Sequence, residues 1–306
     1  MLKSLINTNI FTQLNQDIKS PSHAYLFYGE DELLNVELAK IFIASIFCGK
    51  PACLQCEVCK RIELNKNPDL LIIDKVGLQV ADIEGLIDNV QLKPMIYNYK
   101  VVLITNADTI NETAQNKLLK TLEEPNNNVI FVLVCKNSER LLPTIKSRLN
   151  KHFVPNIDLS IVAEDLKNKG INIDKFLHCE ITLTEAIKYS DNNNLETLDA
   201  VNFIILNLKT TSDIPKIVGQ LKIKPEKRKE LLTLLNNACE NALMGGQGIV
   251  DKETINYLQA NYNSVLLVKI MNLITNAYKM LESNVNFNYV LDYLFYQILK
   301  EKYLCK

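Results

Sequence analysis

The sequence predicts an α/β domain with a parallel sheet, followed by two helical domains. In residues 1–155, short apolar runs alternate with amphipathic helical patterns, and strands that are apolar on both faces are typical of a parallel sheet covered by helices. After Pro155 the strand signals cease, and helical patterns continue to the end of the 306-residue chain. The predicted domains are therefore 1–155 (α/β), 156–207 (small, helical) and 208–306 (larger, helical).

Four strands and four helices justify the α/β prediction. The strands are the apolar runs Ala24–Tyr28, Asp69–Asp74, Lys100–Thr105 and Val129–Val134. The helices are predicted at Leu34–Phe47, Val80–Gln91, Asn111–Glu124 and, as a short one, Glu139–Arg148. Pro125 is predicted to end the third helix, because proline cannot continue the hydrogen-bond pattern of a helix.

Four longer helical patterns make up the C-terminal part. They are predicted at Lys227–Leu243, Asp251–Tyr262, Val265–Met280 and Asn288–Tyr303. In the last of them, apolar residues recur on a single stripe, which predicts a face that packs against another surface. That stripe consists of Val290, Leu291, Leu294 and Ile298.

Charge and hydropathy limit the classes of function. The formal net charge is -1, whereas a protein that binds nucleic acid on its own usually has a strong basic excess. Any nucleic-acid contact is therefore expected to be local or shared with partners. No apolar run reaches the ~20 residues of a membrane span, and the first residues lack the apolar core of a signal peptide. We expect a cytoplasmic protein that does not bind membranes.

Residues 29–36 have the layout of a phosphate-binding loop without its chemistry. A working loop reads G-x-x-x-x-G-K-[ST], in which glycines let the backbone surround phosphate, Lys reaches the β/γ oxygens and a hydroxyl holds Mg²⁺. Gly29 is retained, but Leu34, Asn35 and Val36 stand at the last three positions. The alternative interpretation is an ordinary strand–turn–helix in which Gly29 serves only as a turn.

Two further features argue against ATP hydrolysis. Residues 30–32 (Glu-Asp-Glu) add three carboxylates where a polyanion would sit, and each like-charge contact at ~4 Å costs about 1 kcal/mol in water. In P-loop ATPases an apolar strand ends in an acidic pair that holds Mg²⁺ and orients the attacking water. Here the corresponding strand ends in Thr105 and Asn106, which are neutral. We expect no bound ATP and no intrinsic hydrolysis.

One helix carries a specific resemblance. Residues 116–125 read NKLLKTLEEP, which resembles a helix of bacterial clamp-loader subunits of DNA polymerase III, a family of AAA+ proteins. The order of the other motifs follows the same family and is similar to its delta-prime type. In particular, residues 105–108 (TNAD) stand where active members have D-E-A-D. The resemblance is dense over residues 20–155 and architectural beyond them.

The resemblance implies a fold and a role. The fold is an AAA+ α/β domain, a helical lid and a C-terminal helical collar that joins five subunits. The role is that of a non-hydrolysing stator that assembles with the gamma/tau ATPase subunits and the delta subunit. The complex loads the sliding clamp onto primer–template DNA. The strand–loop–helix frame would then be kept because it builds a subunit interface, while its phosphate chemistry has drifted.

Four cysteines form a compact motif. Cys48, Cys53, Cys56 and Cys59 follow the spacing C-x4-C-x2-C-x2-C, and in a reducing cytosol such a cluster favours a metal over disulfides. Four thiolates suit tetrahedral Zn²⁺ and leave no open position for catalysis, so we expect a structural ion. Cys48 is predicted at the end of the first helix and the other three on a knuckle loop. The alternative is four reduced thiols on an exposed, oxidation-prone loop.

Ser147 and Arg148 end the predicted Glu139–Arg148 helix. In the resembling family a Ser-Arg-Cys motif places its Arg against the γ-phosphate of ATP held by the neighbouring subunit, where a guanidinium neutralises developing charge. Leu149 replaces the usual Cys. We expect Arg148 to be such a trans arginine finger. The alternative is a solvated arginine that caps a helix C-terminus.

Two other functions remain open at this point. One is an active AAA+ clamp-loader ATPase, which Asn35, Thr105 and Asn106 argue against and which an ATP-binding assay would detect. The other is a zinc-binding nucleic-acid adaptor. That function predicts DNA affinity for the isolated chain, which the net charge of -1 argues against.

Overall fold

A computed structural model of the chain describes residues 1–49, 53–124, 128–177, 179–245 and 248–304. The chain divides into two compact units. The first consists of Met1–Gly170 with Thr182–Thr184, and the second consists of Ile171–Ile181 with Glu185–Lys306. The division into three domains that was inferred from the sequence remains a prediction. The expected helix stop at Pro125 lies outside the described residues.

A parallel sheet forms the centre of the first unit. Within the described residues it has five strands, in the order β2-β3-β4-β1-β5, and every neighbouring pair is parallel. The strands are β1 (Ala24–Tyr28), β2 (Leu70–Ile73), β3 (Lys100–Ile104), β4 (Val129–Cys135) and β5 (Asn150–Phe153). Every residue of β3 and β4 is buried, as expected for central strands covered on both faces. The predicted α/β class is confirmed.

The strand β5 was absent from the sequence-based prediction. It pairs with β1 alone, at the edge of the sheet, and three of its four residues are exposed. Its sequence, Asn-Lys-His-Phe, has no apolar run, because an edge strand needs no apolar side chains on its solvent side. Apolar periodicity therefore could not detect it.

Helices flank the sheet of the first unit. They are α1 (Asn9–Gln13), α2 (Asn15–Lys19), α3 (Glu32–Cys48), α4 (Glu57–Glu63), α5 (Val80–Val90), α6 (Glu112–Glu123), α7 (Pro143–Lys146) and α8 (Ser160–Asn168). Three of the four predicted helices correspond to α3, α5 and α6. The helix α6 begins as predicted after Asn111, whose side chain accepts the Ala114 N–H at 2.8 Å.

The predicted helix Glu139–Arg148 is wrong. A short 3-10 turn at Ser138–Arg140 is followed by α7, which has Pro143 as its first residue. Proline is well placed at the first position of a helix but not inside one, because it lacks the N–H that the preceding turn would bind. Pro143 therefore separates the two turns, and Arg148 lies just beyond the short α7.

The regular elements of the second unit are all helices within its described residues. Its helices are α9 (Leu183–Ser190, which begins in the segment counted with the first unit), α10 (Asn192–Asn207), α11 (Ile214–Gln220), α12 (Arg228–Met244), α13 (Lys252–Asn261), α14 (Ser264–Glu282) and α15 (Phe287–Leu304). The four predicted C-terminal helices correspond to α12–α15. The apolar stripe of α15 is buried, with Val290, Leu291 and Leu294 at most 1% exposed. None of the described helices combines the length and apolar composition that a membrane span requires.

Candidate functional site

The connection from β1 to α3 is too short to form a phosphate loop. The strand ends at Tyr28 and the helix begins at Glu32, so only three residues link them. Leu34, Asn35 and Val36, which stand at the positions of the last glycine, lysine and hydroxyl of a working loop, are already helical. The Leu34 N–H is already bound by the Asp31 side chain and the Asn35 N–H by the Asp31 carbonyl, so neither is available to a ligand.

Gly29 has a packing role beyond that of a turn. A Cβ atom at this position would lie 2.1 Å from the carbonyl oxygen of Val154, closer than any real contact. The Val154 N–H also donates to the Tyr28 carbonyl at 2.8 Å, next to this point. Glycine is thus required because the chain leaving β5 passes directly over the end of β1.

Asn35 ties together the ends of two strands. Its side chain is fully buried, and Nδ2 donates to the Gly29 carbonyl at 2.8 Å and to the Cys135 carbonyl at 3.1 Å. Cys135 is the last residue of β4. The residue that stands where a phosphate loop has its lysine therefore bridges β1 and β4 and presents no positive charge to a ligand.

Asp31 occupies the N-terminus of α3. It is 1% exposed, and its carboxylate accepts the Leu34 N–H of its own helix at 3.2 Å. It also accepts the N–H groups of Leu183 and Thr184 and, at 2.7 Å, the Thr184 hydroxyl. The sequence suggested only that Asp31 would repel a polyanion, and no local signal pointed to a partner 153 positions away.

Thr105 and Asn106 directly follow β3, at the place where P-loop ATPases carry an acidic pair. The Thr105 hydroxyl and the Asn106 amide both donate to the Asp74 carboxylate. Asn106 adopts a left-handed backbone conformation (φ 52°), which asparagine tolerates better than most residues. Both side chains are thus engaged with Asp74, which is exposed at the end of the neighbouring strand β2.

The four cysteines of the motif converge. The measured Sγ–Sγ distances are 3.5 Å (Cys48–Cys53), 3.7 Å (Cys48–Cys56), 3.9 Å (Cys53–Cys59) and 3.6 Å (Cys56–Cys59), and all four sulfurs lie within 4.8 Å of one another. A tetrahedron with Zn–S bonds of ~2.3 Å has S–S edges of about 3.8 Å. The spacing of these sulfurs therefore fits a single Zn²⁺ ion.

Two helices supply three of the cysteines. Cys48 ends α3, as predicted, and is followed by Gly49 in a left-handed conformation (φ 68°) that turns the chain. Cys56 is the N-cap of α4, and Cys59 is buried in its first turns. The prediction that Cys53, Cys56 and Cys59 share a knuckle loop is therefore wrong for Cys59. The local reason is that residues 57–63 form a helix too short to show apolar periodicity.

The thiol environments differ within the cluster. Hydrogen bonds from the backbone N–H groups of Gln55 and Cys56 lower the pKa of the Cys53 thiol to about 6. Burial raises the pKa of Cys48 and of Cys59. Only thiolates bind metal, so a cation would have to favour deprotonation at Cys48 and Cys59, whereas the lowered pKa of Cys53 already favours its thiolate.

Arg148 lies directly after α7 and is held by two elements. Its Nη2 atom contacts Glu123 Oε1 at 2.6 Å, and its Nη1 atom donates to the Thr144 carbonyl at 2.7 Å and to Ser147 Oγ at 3.3 Å. Glu123 is the last residue of α6. The guanidinium caps α7 through the Thr144 carbonyl, and the Arg148 side chain remains 32% exposed. No local pattern in the sequence pointed to its pairing with Glu123.

A sequence model of a protein family described as "DNA polymerase III, delta subunit" matches residues 6–157. This range contains all five strands, the residues between β1 and α3, the cysteine cluster and Arg148. The match therefore covers about half of the chain and every part of the candidate site except Leu183 and Thr184.

Several curated relatives are named as subunits of DNA polymerase III. DNA polymerase III subunit delta' of Bacillus subtilis is 38% identical over 132 residues, which is 42% of this chain and 40% of that protein. The delta' subunit of Pseudomonas aeruginosa is 32% identical over 142 residues, or 44% of this chain and 43% of that protein. Subunit tau of Escherichia coli is 33% identical over 151 residues, which is 48% of this chain and 24% of that protein. The chain thus spans less than half the length of these relatives.

A solved structure shares the overall fold. A protein from Thermotoga maritima, described as related to the gamma subunit of DNA polymerase III, superposes with a TM-score of 0.52 at 18% identity. The superposition covers 96% of this chain and 100% of that one. At this identity, the likeness shows the fold alone, which is a parallel α/β sheet followed by helices.

Proposed function

Because this chain belongs, through residues 6–157, to the DNA polymerase III delta-subunit family of clamp-loader proteins, we propose that it is a delta-prime-type stator of a clamp loader. The resemblance of residues 116–125 to clamp-loader subunits is thereby confirmed. In this proposal the chain acts in the cytoplasm, assembles with gamma/tau ATPase subunits and a delta subunit, and neither binds nor hydrolyses ATP. The assembled complex places the sliding clamp on primer–template DNA during replication.

The arrangement around Asp31 is the observation that carries the proposal. A buried carboxylate occupies the helix N-terminus that a phosphate would need, and Asn35 stands in the place of the phosphate-binding lysine. At the other acidic position, Thr105 and Asn106 engage Asp74 and supply no magnesium ligand pair. The groups that bind phosphate and Mg²⁺ in this class of ATPase are thus replaced at both places.

Arg148 supplies the second part of the proposal. Its side chain is 32% exposed, and residues 29–36 and 105–106 offer no phosphate site that would need it. We assign it to the γ-phosphate of ATP on a neighbouring subunit, with Ser147 beside it. The hydrogen bond to the Thr144 carbonyl and the ion pair with Glu123 support this role, because they hold the guanidinium in one place before a partner arrives.

Zinc completes the proposed stator as a structural ion. Cys48, Cys53, Cys56 and Cys59 would hold it and would leave no coordination position for a substrate. The ion would join the end of α3 to the start of α4 through the four thiolates. The residues 208–306 are assigned to the collar through which the subunits of the complex associate.

Nucleotide binding by the isolated chain tests the proposal directly. We expect calorimetric titration with ATP–Mg²⁺ to give no saturable binding, and the chain to give no turnover, while co-expression with gamma/tau and delta subunits yields a stable complex. ATP turnover that disappears in Asn35→Ala would instead identify an active clamp-loader ATPase. DNA binding by the isolated chain, with no assembly, would identify the zinc-dependent adaptor.

A further inference from the structure

We propose that the Asp31 carboxylate is a permanent internal ligand at the place of a phosphate, and that it clasps Thr182–Thr184 to the start of α3. This inference rests on the proposed lack of nucleotide binding and extends it, because it names what fills the site. It also explains why the contact with residues 182–184 would be independent of nucleotide.

Asp31 receives donors from two separate parts of the chain. Oδ1 accepts the Leu34 N–H at 3.2 Å, the Thr184 hydroxyl at 2.7 Å and the Thr184 N–H at 3.3 Å, and Oδ2 accepts the Leu183 N–H. The Thr184 hydroxyl in turn accepts the Leu33 N–H at 3.0 Å. Four donors therefore bind one carboxylate, and Asp31 is only 1% exposed.

The donors around Asp31 are those that normally favour a bound anion. The first N–H groups of a helix have no partner within it, and the helix dipole adds a partial positive charge at that end. Phosphates bind helix N-termini for these reasons. Here the N–H groups of Leu33 and Leu34 are satisfied from within the chain, and Leu183 and Thr184 add donors from outside the helix. The carboxylate has the charge and the acceptors that a phosphate would bring.

The segment that Asp31 holds, Thr182–Thr184, lies beyond Gly170 in the chain but belongs to the first unit. Residues 171–181 and all residues from Glu185 onward are counted with the second unit. In a protein that awaits a phosphate, donors from such a segment would be recruited when the ligand binds. In this chain the ligand is covalently part of the loop, so the segment stays attached whether or not nucleotide is present.

The hydrogen-bond donors around Asp31 predict which ligand could bind if the Asp31 carboxylate were removed. Removal of the Asp31 carboxylate would leave the donors of Leu34, Leu183 and Thr184 without an acceptor in a buried space, which is unfavourable. A small anion could take its place. ATP–Mg²⁺ could not be used productively, because Asn35 and Val36 provide neither the lysine nor the hydroxyl. Inorganic phosphate is therefore the appropriate probe.

The experiment compares full-length Asp31→Ala with the wild type and with Glu32→Ala. The control removes the exposed carboxylate next to Asp31, at the first position of α3. Thermal unfolding is followed in potassium phosphate and in potassium chloride at equal ionic strength. Hydrogen exchange is measured in peptides that contain residues 32–35 and 182–185.

In chloride, we expect Asp31→Ala to unfold at a temperature lower by about 5–10 °C and to exchange the Leu183 and Thr184 amides at least about tenfold faster. Phosphate should reverse both effects in a saturable way. It should leave the wild type and Glu32→Ala with the same small shift, which reports the general stabilising action of this salt. Thr184→Val removes the hydroxyl that donates to Asp31. It should accelerate exchange at residues 182–185, but phosphate should not reverse this effect because the Asp31 carboxylate is still present.

Asp31→Asn keeps the test decisive if Asp31→Ala does not fold. Its amide retains the shape and one acceptor oxygen but places an NH2 group among the other donors, so exchange at residues 182–185 should still be faster than in the wild type. The inference is overturned if the Asp31 variants keep wild-type unfolding and exchange, or if phosphate stabilises Asp31→Ala no more than it stabilises Glu32→Ala. ATP binding by the wild-type chain would contradict the proposed function instead, so the two failures are distinguishable.

Discussion

At the scale of single residues, the Asp69 carboxylate holds the irregular segment 95–97 by accepting hydrogen bonds from the backbone of that segment. Its side chain is completely buried, and its carboxylate accepts the N–H groups of Met95 (2.6 Å), Ile96 (2.7 Å) and Tyr97 (2.9 Å). Met95 and Ile96 are 79% and 58% exposed, so their side chains contribute little packing. The position of this segment therefore depends on the carboxylate.

We expect Asp69→Ala to lower the free energy of unfolding by about 2–4 kcal/mol, because three N–H groups lose a charged acceptor that is itself buried. Asp69→Asn should cost less, since its amide oxygen can still accept. Urea unfolding of the full chain measures both changes. The exposed Asp88 provides the control, and Asp88→Ala should stay within about 0.5 kcal/mol of the wild type. An equal effect at positions 69 and 88 would contradict this assignment.

Arg148 provides a prediction about the assembled complex. Arg148→Ala should leave folding, zinc content and assembly unchanged but lower the DNA- and clamp-stimulated ATPase. A trans arginine contributes about 10³–10⁵ in rate in the best-studied systems, although the effect here should be smaller because one site among several would face this subunit. Arg148→Lys should rescue poorly, because an ammonium lacks the planar fork.

The control for Arg148 is Arg140→Ala, which removes an exposed arginine from the turn before α7. It should leave ATPase activity and clamp loading at wild-type rates. If the Arg148→Ala complex also hydrolyses ATP and loads clamps at those rates, Arg148 serves only to cap α7 through the Thr144 carbonyl.

At the scale of elements, the cysteine cluster joins α3 to α4. The helix α4 has seven residues and is therefore too short to be stable without tertiary contacts. Its fixed points within the cluster are Cys56 at its N-cap and Cys59 in its first turns. A metal held by both would order α4 as well as join it to Cys48.

We expect one equivalent of zinc in protein purified without chelator, and its removal should lower the unfolding temperature because the metal binds only the folded arrangement. Cys59→Ser and Cys48→Ser should both reduce the zinc content. Cys179→Ser, outside the cluster, is the matched control. Full zinc content in Cys48→Ser would mean that three cysteines suffice, and absence of zinc from the wild type would contradict the proposed site.

At the scale of the whole molecule, the helical unit has a shared apolar core. The helix α10 packs against α12 and α13, and its Ile204 and Ile205 lie with Leu208 beside Leu235 and Cys239. Ile204 is 2% exposed and Ile205 is 7% exposed. The predicted domain boundary between residues 207 and 208 falls directly after this helix.

A pair of fragments tests that boundary. We expect residues 192–306 to unfold cooperatively and residues 208–306 to be less stable, because each large apolar side chain lost from α10 costs about 2–5 kcal/mol when its partners cannot close the gap. Thermal unfolding by circular dichroism and binding of a dye specific for exposed apolar surface would show the difference. Equal cooperativity and stability would show that 208–306 is an independent domain.

The sequence predicted the elements whose signals are local. The strands β1, β3 and β4 were found because continuous apolar runs reflect burial on both faces, and α3 and α6 were found from their periodicity and, for α6, from its N-cap. The elements that were missed or misread are short or polar. Those that bear on the candidate site are β5, at the edge of the sheet, α4, within the cysteine cluster, and α7, which begins at a proline.

The candidate site likewise has features that local sequence predicts and features that it does not. The residue types at positions 34–36, 105 and 106 by themselves determined that the glycine, lysine and hydroxyl of a phosphate-binding loop and the usual acidic pair are absent from those positions. The spacing of four cysteines predicted a metal-binding motif. Only the tertiary structure decided that Asp31 meets Thr184, that Glu123 holds Arg148, and that the sulfurs lie at the edge lengths of one tetrahedron. The physical reason is that local patterns follow from backbone geometry and burial. A contact between residues more than a hundred positions apart depends on how the whole chain packs.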